Sequence, residues 1–168
     1  MSEHPSRAGL FKKLDELGIA HKTHEHKAVF TVEESAEIKT NLPGGHTKNL
    51  FLKDKNGTYF LISALGDTQI PINKLHRTFE CKRLSFGKPE PLLELLGVTP
   101  GSVTFFSIMN DTKNQVKLVL DKSIFDHGII NFHPMENTAT TAVKSAALIT
   151  FAKAVDHDPV IIDFSTVE

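Results

Sequence analysis

Two apolar segments joined by an Asn-Gly dipeptide constrain the fold of this chain more than any other feature. Residues 49–53 and 58–63 are rich in Leu, Phe, Tyr and Ile, and Asn56-Gly57 lies between them. An Asn-Gly pair supplies the positive-φ turn that a tight hairpin requires. The sequence therefore predicts an antiparallel β-hairpin as its best-defined element.

Apolar residues at spacings of three and four predict helices elsewhere. These predicted helices cover residues 7–17, 30–39, 71–79, 89–96 and 145–156. Ser6 is a suitable N-cap for the first, and Gly97 ends the fourth. Thr31 and Glu34 have the spacing of a capping box, which indicates the start of the second.

The remaining apolar segments favour strands. They cover residues 19–28, 102–109, 115–121, 128–134, 137–144 and, as a buried last strand, 159–164. Residues 41–47 are a loop on turn chemistry alone. Helices and strands do not alternate regularly, so we expect a mixed α/β fold in which a mixed sheet is flanked by helices, rather than a doubly wound sheet.

Bulk properties limit the class of protein. A length of 168 residues fits a single domain over 1–168. The single cysteine, Cys81, excludes an internal disulfide and favours a reducing, cytoplasmic setting. No apolar run has the length of a membrane span, and the first ten residues lack the apolar core of a secretory signal. The formal net charge of −1 means that nucleic-acid binding would need a local basic patch.

Three polar segments are candidates for a site. Gly44 and Gly45 precede the hairpin and would allow close backbone approach to a ligand, and Lys48 follows where the loop enters the sheet. Lys48 is either a solvated strand-edge lysine or a fixed cation for an anionic group such as phosphate.

The second segment is the glycine loop 97–101, which is either a plain helix-to-strand connection or a loop that meets a ligand together with Ser102. The third is 131–140, where His133, Asn137 and Thr138 lie near a proline-forced turn. A buried, hydrogen-bonded histidine is the structural alternative for His133.

Metal and cysteine chemistry have little support. His24 and His26 would point to one side of a strand and His133 could join them at a zinc ion, but no second pair at ligand spacing exists. Cys81 has no activating neighbour, so a structural thiol is the simpler interpretation. No nucleophile elbow, P-loop or dinucleotide fingerprint is present, and we expect neither metal nor cofactor.

Taken together, "PGGHTKNLFLKDKNGTYFLI", "LSFGKPEPLLELLGVTPGSVT" and "INFHPMENTATT" resemble the free-standing prolyl-tRNA editing proteins. These belong to the superfamily of YbaK and the inserted editing domain of bacterial prolyl-tRNA synthetase. The similarity extends from about Leu10 to Phe164. It implies a partly barrel-like mixed sheet with peripheral helices. It is strongest to the ProXp-ala type, a trans-editing deacylase that removes alanine from tRNA for proline.

The resemblance implies roles for particular residues. Lys48 matches the family lysine that positions the terminal adenosine through its phosphate, and Asn49 matches its neighbour. His133 matches the family histidine, here a pocket-shaping hydrogen-bonding group. Gly101 and Ser102 match the start of a G-x-x-x-P loop that lies against the terminal ribose and the ester.

The resemblance has one departure and leaves the pocket walls open. Phe105 replaces the family proline, which leaves the path of the loop to be established. Substrate contacts are also expected from His46 and Asn137. Small-cavity walls could come from Val29, Phe30 and Phe106, although ordinary core packing explains these three equally well.

The expected partner is the acceptor end of a mischarged tRNA, with prolyl-tRNA synthetase or an elongation factor as further candidates and no membrane. The densest basic stretch consists of Lys74, His76, Arg77, Lys82 and Arg83. If it faces the same side as Lys48, it could follow the phosphates of the acceptor stem. The alternative is that these are ordinary solvated charges. Alternatives to alanine are cysteine, serine or threonine. A non-catalytic tRNA-binding module and a small-ligand-binding domain are the alternatives to an enzyme.

Overall fold

The computed structural model describes residues 7–27 and 42–167. Within these ranges there are four α-helices: α1 (Arg7–Glu16), α2 (Leu75–Thr78), α3 (Pro89–Leu96) and α4 (Ala147–Ala154). Three 3₁₀ helices cover Phe105–Asn110, Lys122–Asp126 and Phe164–Thr166. In the described part of the chain, every helix is too short to cross a lipid bilayer. The helix predicted over 30–39, and with it Val29 and Phe30, lies outside the described residues.

In the same two ranges, eight strands form one mixed sheet. They are β1 (His21–Glu25), β2 (Gly45–Asp54), β3 (Tyr59–Leu65), β4 (Leu84–Phe86), β5 (Val116–Asp121), β6 (Ile129–Phe132), β7 (Ala139–Lys144) and β8 (Val160–Ile162). The order is β1-β7-β6-β2-β3-β5-β8, and β4 pairs with β2. Three neighbouring pairs are parallel: β2 with β6, β3 with β5, and β5 with β8. The predicted mixed sheet flanked by helices is confirmed.

Two apolar clusters lie on opposite faces of β2. The main core contains Phe51 together with residues of α1, α3, α4 and the 3₁₀ helix Phe105–Asn110. The minor core contains Leu52, with Leu50 packed against it, and includes Leu75 of α2 and Phe164. Because strand side chains alternate between faces, Lys48 shares the minor-core face of β2 with Leu50 and Leu52.

The hairpin of β2 and β3 is confirmed, and one carboxylate holds its turn. Asp54 is buried, and its Oδ1 accepts hydrogen bonds from the backbone N–H of Asn56 at 2.9 Å and of Thr58 at 2.8 Å. Gly57 has φ +85°, which a glycine adopts without a steric penalty. The local sequence therefore determines this turn without help from the rest of the fold.

Residues 102–109 are not a strand. Val103 and Thr104 are irregular, and Phe105 begins a 3₁₀ helix in which the side chain of Thr104 accepts a hydrogen bond from Phe106 N–H. Phe105, Phe106 and Ile108 are all buried in the main core. An apolar run of this length has no periodicity that separates a strand from a buried helical segment, which is why the prediction was wrong.

Two further boundaries and the burial of the last strand differ from prediction. Pro71 begins only a turn, and α2 is confined to four residues because Glu80 takes φ +53° shortly after it. The last strand is a half-exposed edge strand with one neighbour rather than a buried strand, since Val160 and Ile161 are 47% and 43% exposed. The predicted loop 41–47 ends early, because β2 already begins at Gly45.

Candidate active site

One edge of β2 carries two separate partners with a gap between them. β6 pairs with Gly45 and His46, and β4 pairs with Leu52 to Asp54. Among residues 7–27 and 42–167, no strand pairs with positions 47–51 on this edge, while β3 occupies the other edge. Gly87 N–H, just after β4, donates to the Phe51 carbonyl at 2.8 Å, so the unpaired stretch is positions 47–50. Ligands commonly bind where neighbouring strands of a sheet separate, which makes this stretch a candidate position for a site.

The backbone of Lys48 lies at this gap, and its ammonium is fixed by the loop that follows β3. Its Nζ donates a hydrogen bond to the backbone carbonyl of Thr68 at 2.5 Å. The Thr68 hydroxyl in turn donates to Oδ2 of Asp121 at 2.6 Å. An ammonium has three donors, so this contact leaves others for an anion.

Asp121 organises the loop that holds Lys48. Its side chain is fully buried at the end of β5, and it accepts hydrogen bonds from Leu65 N–H at 3.1 Å and Ser123 N–H at 3.0 Å in addition to the Thr68 hydroxyl. A buried polar group needs such hydrogen-bond partners to offset its removal from water. Neither Thr68 nor Asp121 was predicted from the sequence; the available signal was an acidic residue that ends a run of apolar residues.

His133 follows β6 directly, and Lys48 follows the paired part of β2 at the same spacing. The parallel register pairs His46 with Asn131, and two residues further along each strand are Lys48 and His133. The pairing ends at His46 and Asn131, one residue before β6 itself ends, so Lys48 and His133 both lie just beyond it. The Thr47 hydroxyl donates to the Asn131 carbonyl at 2.8 Å and continues the contact between the two strands.

The hydrogen bond of His133 determines its tautomer. Its Nδ1 lies 3.2 Å from the Ala139 carbonyl, an acceptor, so Nδ1 carries the hydrogen and Nε2 of the neutral ring is an acceptor. Burial lowers the pKa of His133, the Ala139 carbonyl opposes that shift, and the nearby His26 adds to it. The imidazole is therefore neutral near pH 7.

The glycine loop meets the loop between β6 and β7. Ser102 N–H donates to the Thr99 carbonyl at 2.9 Å, and Gly101 has φ +92°, as in a type II turn with Pro100 before the glycine. A Cβ built on Gly101 would lie 3.9 Å from Nδ2 of Asn137. The structure thus brings Gly101 close to Asn137, which lies in the loop that begins at His133.

Phe105 anchors the end of the glycine loop in the main core. It is fully buried, and its ring centroid lies 5.2 Å from that of Phe132 and 5.5 Å from that of Phe151. Where the family has a proline, this chain fixes the loop by aromatic packing. Phe106 is also buried and stacks edge-on against Phe132 at 5.3 Å, so it lies in the core beneath the loop. Whether it also lines a substrate cavity stays a prediction.

Other expected site residues lie apart from Lys48. Asn49 points to the opposite face, where its Oδ1 accepts a hydrogen bond from the Ser63 hydroxyl at 2.6 Å. A contact between Asn49 and substrate therefore has to come from the main-core side. The His46 ring donates through Nε2 to the Leu42 carbonyl at 3.1 Å, which keeps it beside the start of β2.

Gly44 and Gly45 serve the contact between strands. A Cβ on Gly44 would lie 2.6 Å from the Ile129 carbonyl oxygen, and one on Gly45 would lie 3.0 Å from Cγ of His127. A side chain does not fit at Gly44, and at Gly45 it would require the neighbouring side chains to shift by a few tenths of an ångström. Both glycines also line a cavity of about 370 Å³ together with His46 and His127. That they admit a ligand stays a prediction.

The basic stretch begins on the Lys48 side of the sheet. α2 packs through Leu75 into the minor core, which shares its face of β2 with Lys48. Lys74 and Arg77 flank Leu75 and are exposed. α2 therefore lies on the same side of the sheet as Lys48, as contact with RNA phosphates would require. That contact stays a prediction. In residues 7–27 and 42–167, no three His, Cys, Asp or Glu side chains could hold a metal ion.

Comparison with known proteins places these features in a family context. Residues 26–151 match the model of the aminoacyl-tRNA editing domain. A mouse protein named prolyl-tRNA synthetase associated domain-containing protein 1 is 39% identical over 163 residues, which cover 94% of this chain and 96% of the relative. The prolyl-tRNA editing protein ProX of Acetoanaerobium sticklandii is 32% identical over 150 residues, covering 89% and 92%.

A solved structure supports the same fold. It is described as a candidate trans-editing enzyme for prolyl tRNA synthetase, and it superimposes with a TM-score of 0.72. The alignment covers 96% of this chain and 98% of that one, at 19% sequence identity. At this identity the likeness concerns the fold alone.

Proposed function

Since the chain belongs to the aminoacyl-tRNA editing domain family, we propose that it hydrolyses the ester of mischarged tRNA in trans, with alanyl-tRNA for proline as the substrate. The observation that carries the proposal is the Lys48 ammonium, which the Thr68 carbonyl holds in place. The names of the mouse and bacterial relatives support a role in the proline system. Contact with prolyl-tRNA synthetase or an elongation factor stays a prediction.

Lys48 would bind the phosphate of the terminal adenosine. The ammonium is held by the Thr68 carbonyl, so it does not have to be ordered when the substrate arrives. A lysine acts on phosphate as a point charge with rotatable donors, which suits a single anionic group. The contact fixes the ester relative to the loops at 101 and 133, which is where positioning contributes to the rate.

His133 would accept a hydrogen bond rather than donate one. Its neutral Nε2 can orient a ribose hydroxyl or the attacking water, because Nδ1–H is committed to the Ala139 carbonyl. An aminoacyl ester is already activated, so water needs positioning more than it needs a strong nucleophile. In this family the neighbouring ribose hydroxyl is proposed to assist that water.

The loop at 101 would contact the ribose and the ester. Ser102 N–H is already donated to the Thr99 carbonyl, so stabilisation of the oxyanion by this particular group would require the turn to open. Amino-acid selection would follow from cavity size. A pocket that admits proline discriminates against alanine by only about 1–3 kcal/mol, so a second site that excludes proline increases fidelity.

Deacylation assays test this proposal. The substrates would be tRNA for proline charged in turn with alanine, cysteine or serine, and a tRNA charged with threonine. Each would be incubated separately with wild type, Lys48→Ala and Lys53→Ala. Lys53 is the matched control, because it lies on the same strand but on the other face. The proposal predicts rapid hydrolysis of the alanyl ester, a loss of about 100-fold or more in Lys48→Ala, and normal activity in Lys53→Ala.

The other outcomes separate the alternatives. Preferred hydrolysis of another ester would keep the reaction and change the amino acid. Tight tRNA binding with no hydrolysis of any ester would indicate a binding module. Equal activity of Lys48→Ala and wild type would remove Lys48 from the mechanism.

A further inference from the structure

A second cleft lies on the other side of the loop that holds Lys48. It has a volume of about 550 Å³ and is lined by Thr68, Gln69 and Ile70 of that loop, by Ser123, and by Asp163 and Phe164 near the C-terminus. Pockets of roughly 300–1,000 Å³ hold small ligands. Phe164 and Ile70 belong to the minor core, so the cleft opens on the Lys48 face of the sheet.

Thr68 connects the cleft to Lys48. The carbonyl of Thr68 accepts the Lys48 ammonium, and the same residue forms part of the cleft wall. The phosphate that Lys48 binds under the proposed function joins the terminal nucleotide to the one before it. The penultimate nucleotide is therefore attached to the phosphate at the Lys48 ammonium. This places it next to Thr68, which contacts Lys48 and also lines the cleft.

Resting on that proposed function, we propose that this cleft binds the penultimate nucleotide of the tRNA, a cytidine, with Asp163 accepting a hydrogen bond from its exocyclic amino group. Single-stranded RNA is read by bases that are splayed out, packed against apolar or aromatic side chains and hydrogen-bonded along their edges. Ile70 and Phe164 supply the apolar wall, and Gln69 and Ser123 supply donors for the cytosine O2 and N3 acceptors.

Asp163 is suited to accept from an amino group. Its Oδ1 takes hydrogen bonds from Ser165 N–H at 3.1 Å and the Ser165 hydroxyl at 2.6 Å. These bonds lower its pKa, so the side chain is a carboxylate at neutral pH. In the described part of the chain, Oδ2 accepts no hydrogen bond. Carboxylates recognise cytosine through its amino group and present no donor to the O4 acceptor of uracil.

Binding of RNA minihelices tests the subsite without depending on hydrolysis. Uncharged minihelices ending in CCA and in CUA would be titrated, by fluorescence anisotropy, with wild type, Asp163→Asn and Asp158→Asn. The amide introduced by Asp163→Asn would keep the Oδ1 acceptor that caps the following turn, so the variant should fold, which thermal unfolding would verify. Asp158→Asn removes the same charge at an exposed position outside the cleft.

The cleft predicts a specific pattern of affinities. Wild type and Asp158→Asn should bind CCA about tenfold more tightly than CUA, as expected for one hydrogen bond to a charged group. Asp163→Asn should lose or reverse this preference, since an amide can donate to the uracil O4. Equal binding of the two minihelices by wild type, or an equal loss for both in Asp163→Asn, would overturn the subsite.

A parallel deacylation assay on the same proteins keeps the two proposals apart. Hydrolysis of mischarged tRNA without a preference for the penultimate base would overturn the subsite and keep the proposed function. A base preference in binding without hydrolysis of any ester would keep the subsite and overturn the enzyme. Absence of RNA binding would overturn both.

Discussion

The buried pair of His157 and Asp111 gives a quantitative prediction for stability. His157 Nε2 donates to Oδ2 of Asp111 at 2.9 Å, and the two side chains are 2% and 1% exposed. Nδ1 of His157 faces the Val155 carbonyl at 2.8 Å, so both ring nitrogens face acceptors and the ring is an imidazolium. We predict that His157→Gln leaves the Asp111 carboxylate buried without its cationic partner.

The expected loss of unfolding free energy in His157→Gln follows from the burial of the pair. Removal of one partner of a buried ion pair costs about 3–5 kcal/mol. Asp111 keeps hydrogen bonds from the N–H groups of Gln115 and Val116, which favours the lower end of this range. For a chain of this size, about 3 kcal/mol lowers the melting temperature by about 6–12 °C. Urea unfolding and thermal unfolding would each measure the change.

The contribution of the pair depends on pH in a defined way. Burial acts to lower the pKa of His157, but the hydrogen bonds to Asp111 and the Val155 carbonyl, together with the nearby charges of Asp111 and Asp156, outweigh it and the pKa is raised. Burial acts to raise the pKa of Asp111, but its hydrogen bonds to His157 and the backbone outweigh it and the pKa is lowered.

The stabilisation is therefore complete between about pH 4 and 6.5, the unfolded-state values of the two groups. It decreases as pH rises through the raised pKa of His157, and as pH falls through the lowered pKa of Asp111. The difference in unfolding free energy between wild type and His157→Gln should thus be largest near pH 5–6 and smaller at pH 9.

The chain contains a matched control. His21 Nε2 also lies 2.9 Å from a carboxylate, that of Asp15, but these side chains are 19% and 73% exposed. His21→Gln should cost less than about 1 kcal/mol, because solvent screens an exposed pair. Equal losses in the two variants, or a His157→Gln difference that grows from pH 6 to pH 9, would refute the reasoning.

Three further predictions concern the site. Gly101→Ala should lower the free energy of unfolding by about 1 kcal/mol and reduce deacylation, because Gly101 has a positive φ and lies in the proposed site. Gly57 also has a positive φ but lies in the hairpin turn, so Gly57→Ala should lose similar stability and keep normal activity in the same assays. Thr68→Val removes the hydroxyl that donates to Asp121; it should cost about 1–2 kcal/mol and lower kcat/KM about tenfold, and unchanged kinetics would contradict this. Phe105→Ala should cost about 3–5 kcal/mol in urea unfolding, and a loss below 1 kcal/mol would contradict its role as anchor.

The fold was predictable where the signal is local. The hairpin turn depends on Asp54 and Gly57 within five residues, and α3 begins with prolines and ends at Gly97 with φ +70°. The segment 105–110 was not predictable, because four apolar residues in six suit a strand and a buried helix equally. Its conformation depends on Phe132 and Phe151, which are distant in sequence.

The site was predictable in part for the same reason. Lys48, Gly101 and His133 stand in recognisable segments, and the register of β2 and β6 pairs His46 with Asn131, two residues before Lys48 and His133. Thr68 and Asp121 carry no local motif, since their importance comes from a chain of hydrogen bonds across 53 residues of sequence. The direction of Asn49 likewise depends on its partner Ser63 in the next strand.

The salt dependence of RNA binding tests most directly whether Lys48 binds the terminal phosphate. Affinities of wild type, Lys48→Met and Lys53→Met for a CCA-ended minihelix would be measured over a range of salt concentrations. Loss of one phosphate contact should make the slope of log affinity against log salt shallower by about 0.7 in Lys48→Met, while Lys53→Met keeps the wild-type slope. Identical slopes for wild type and Lys48→Met would contradict the account.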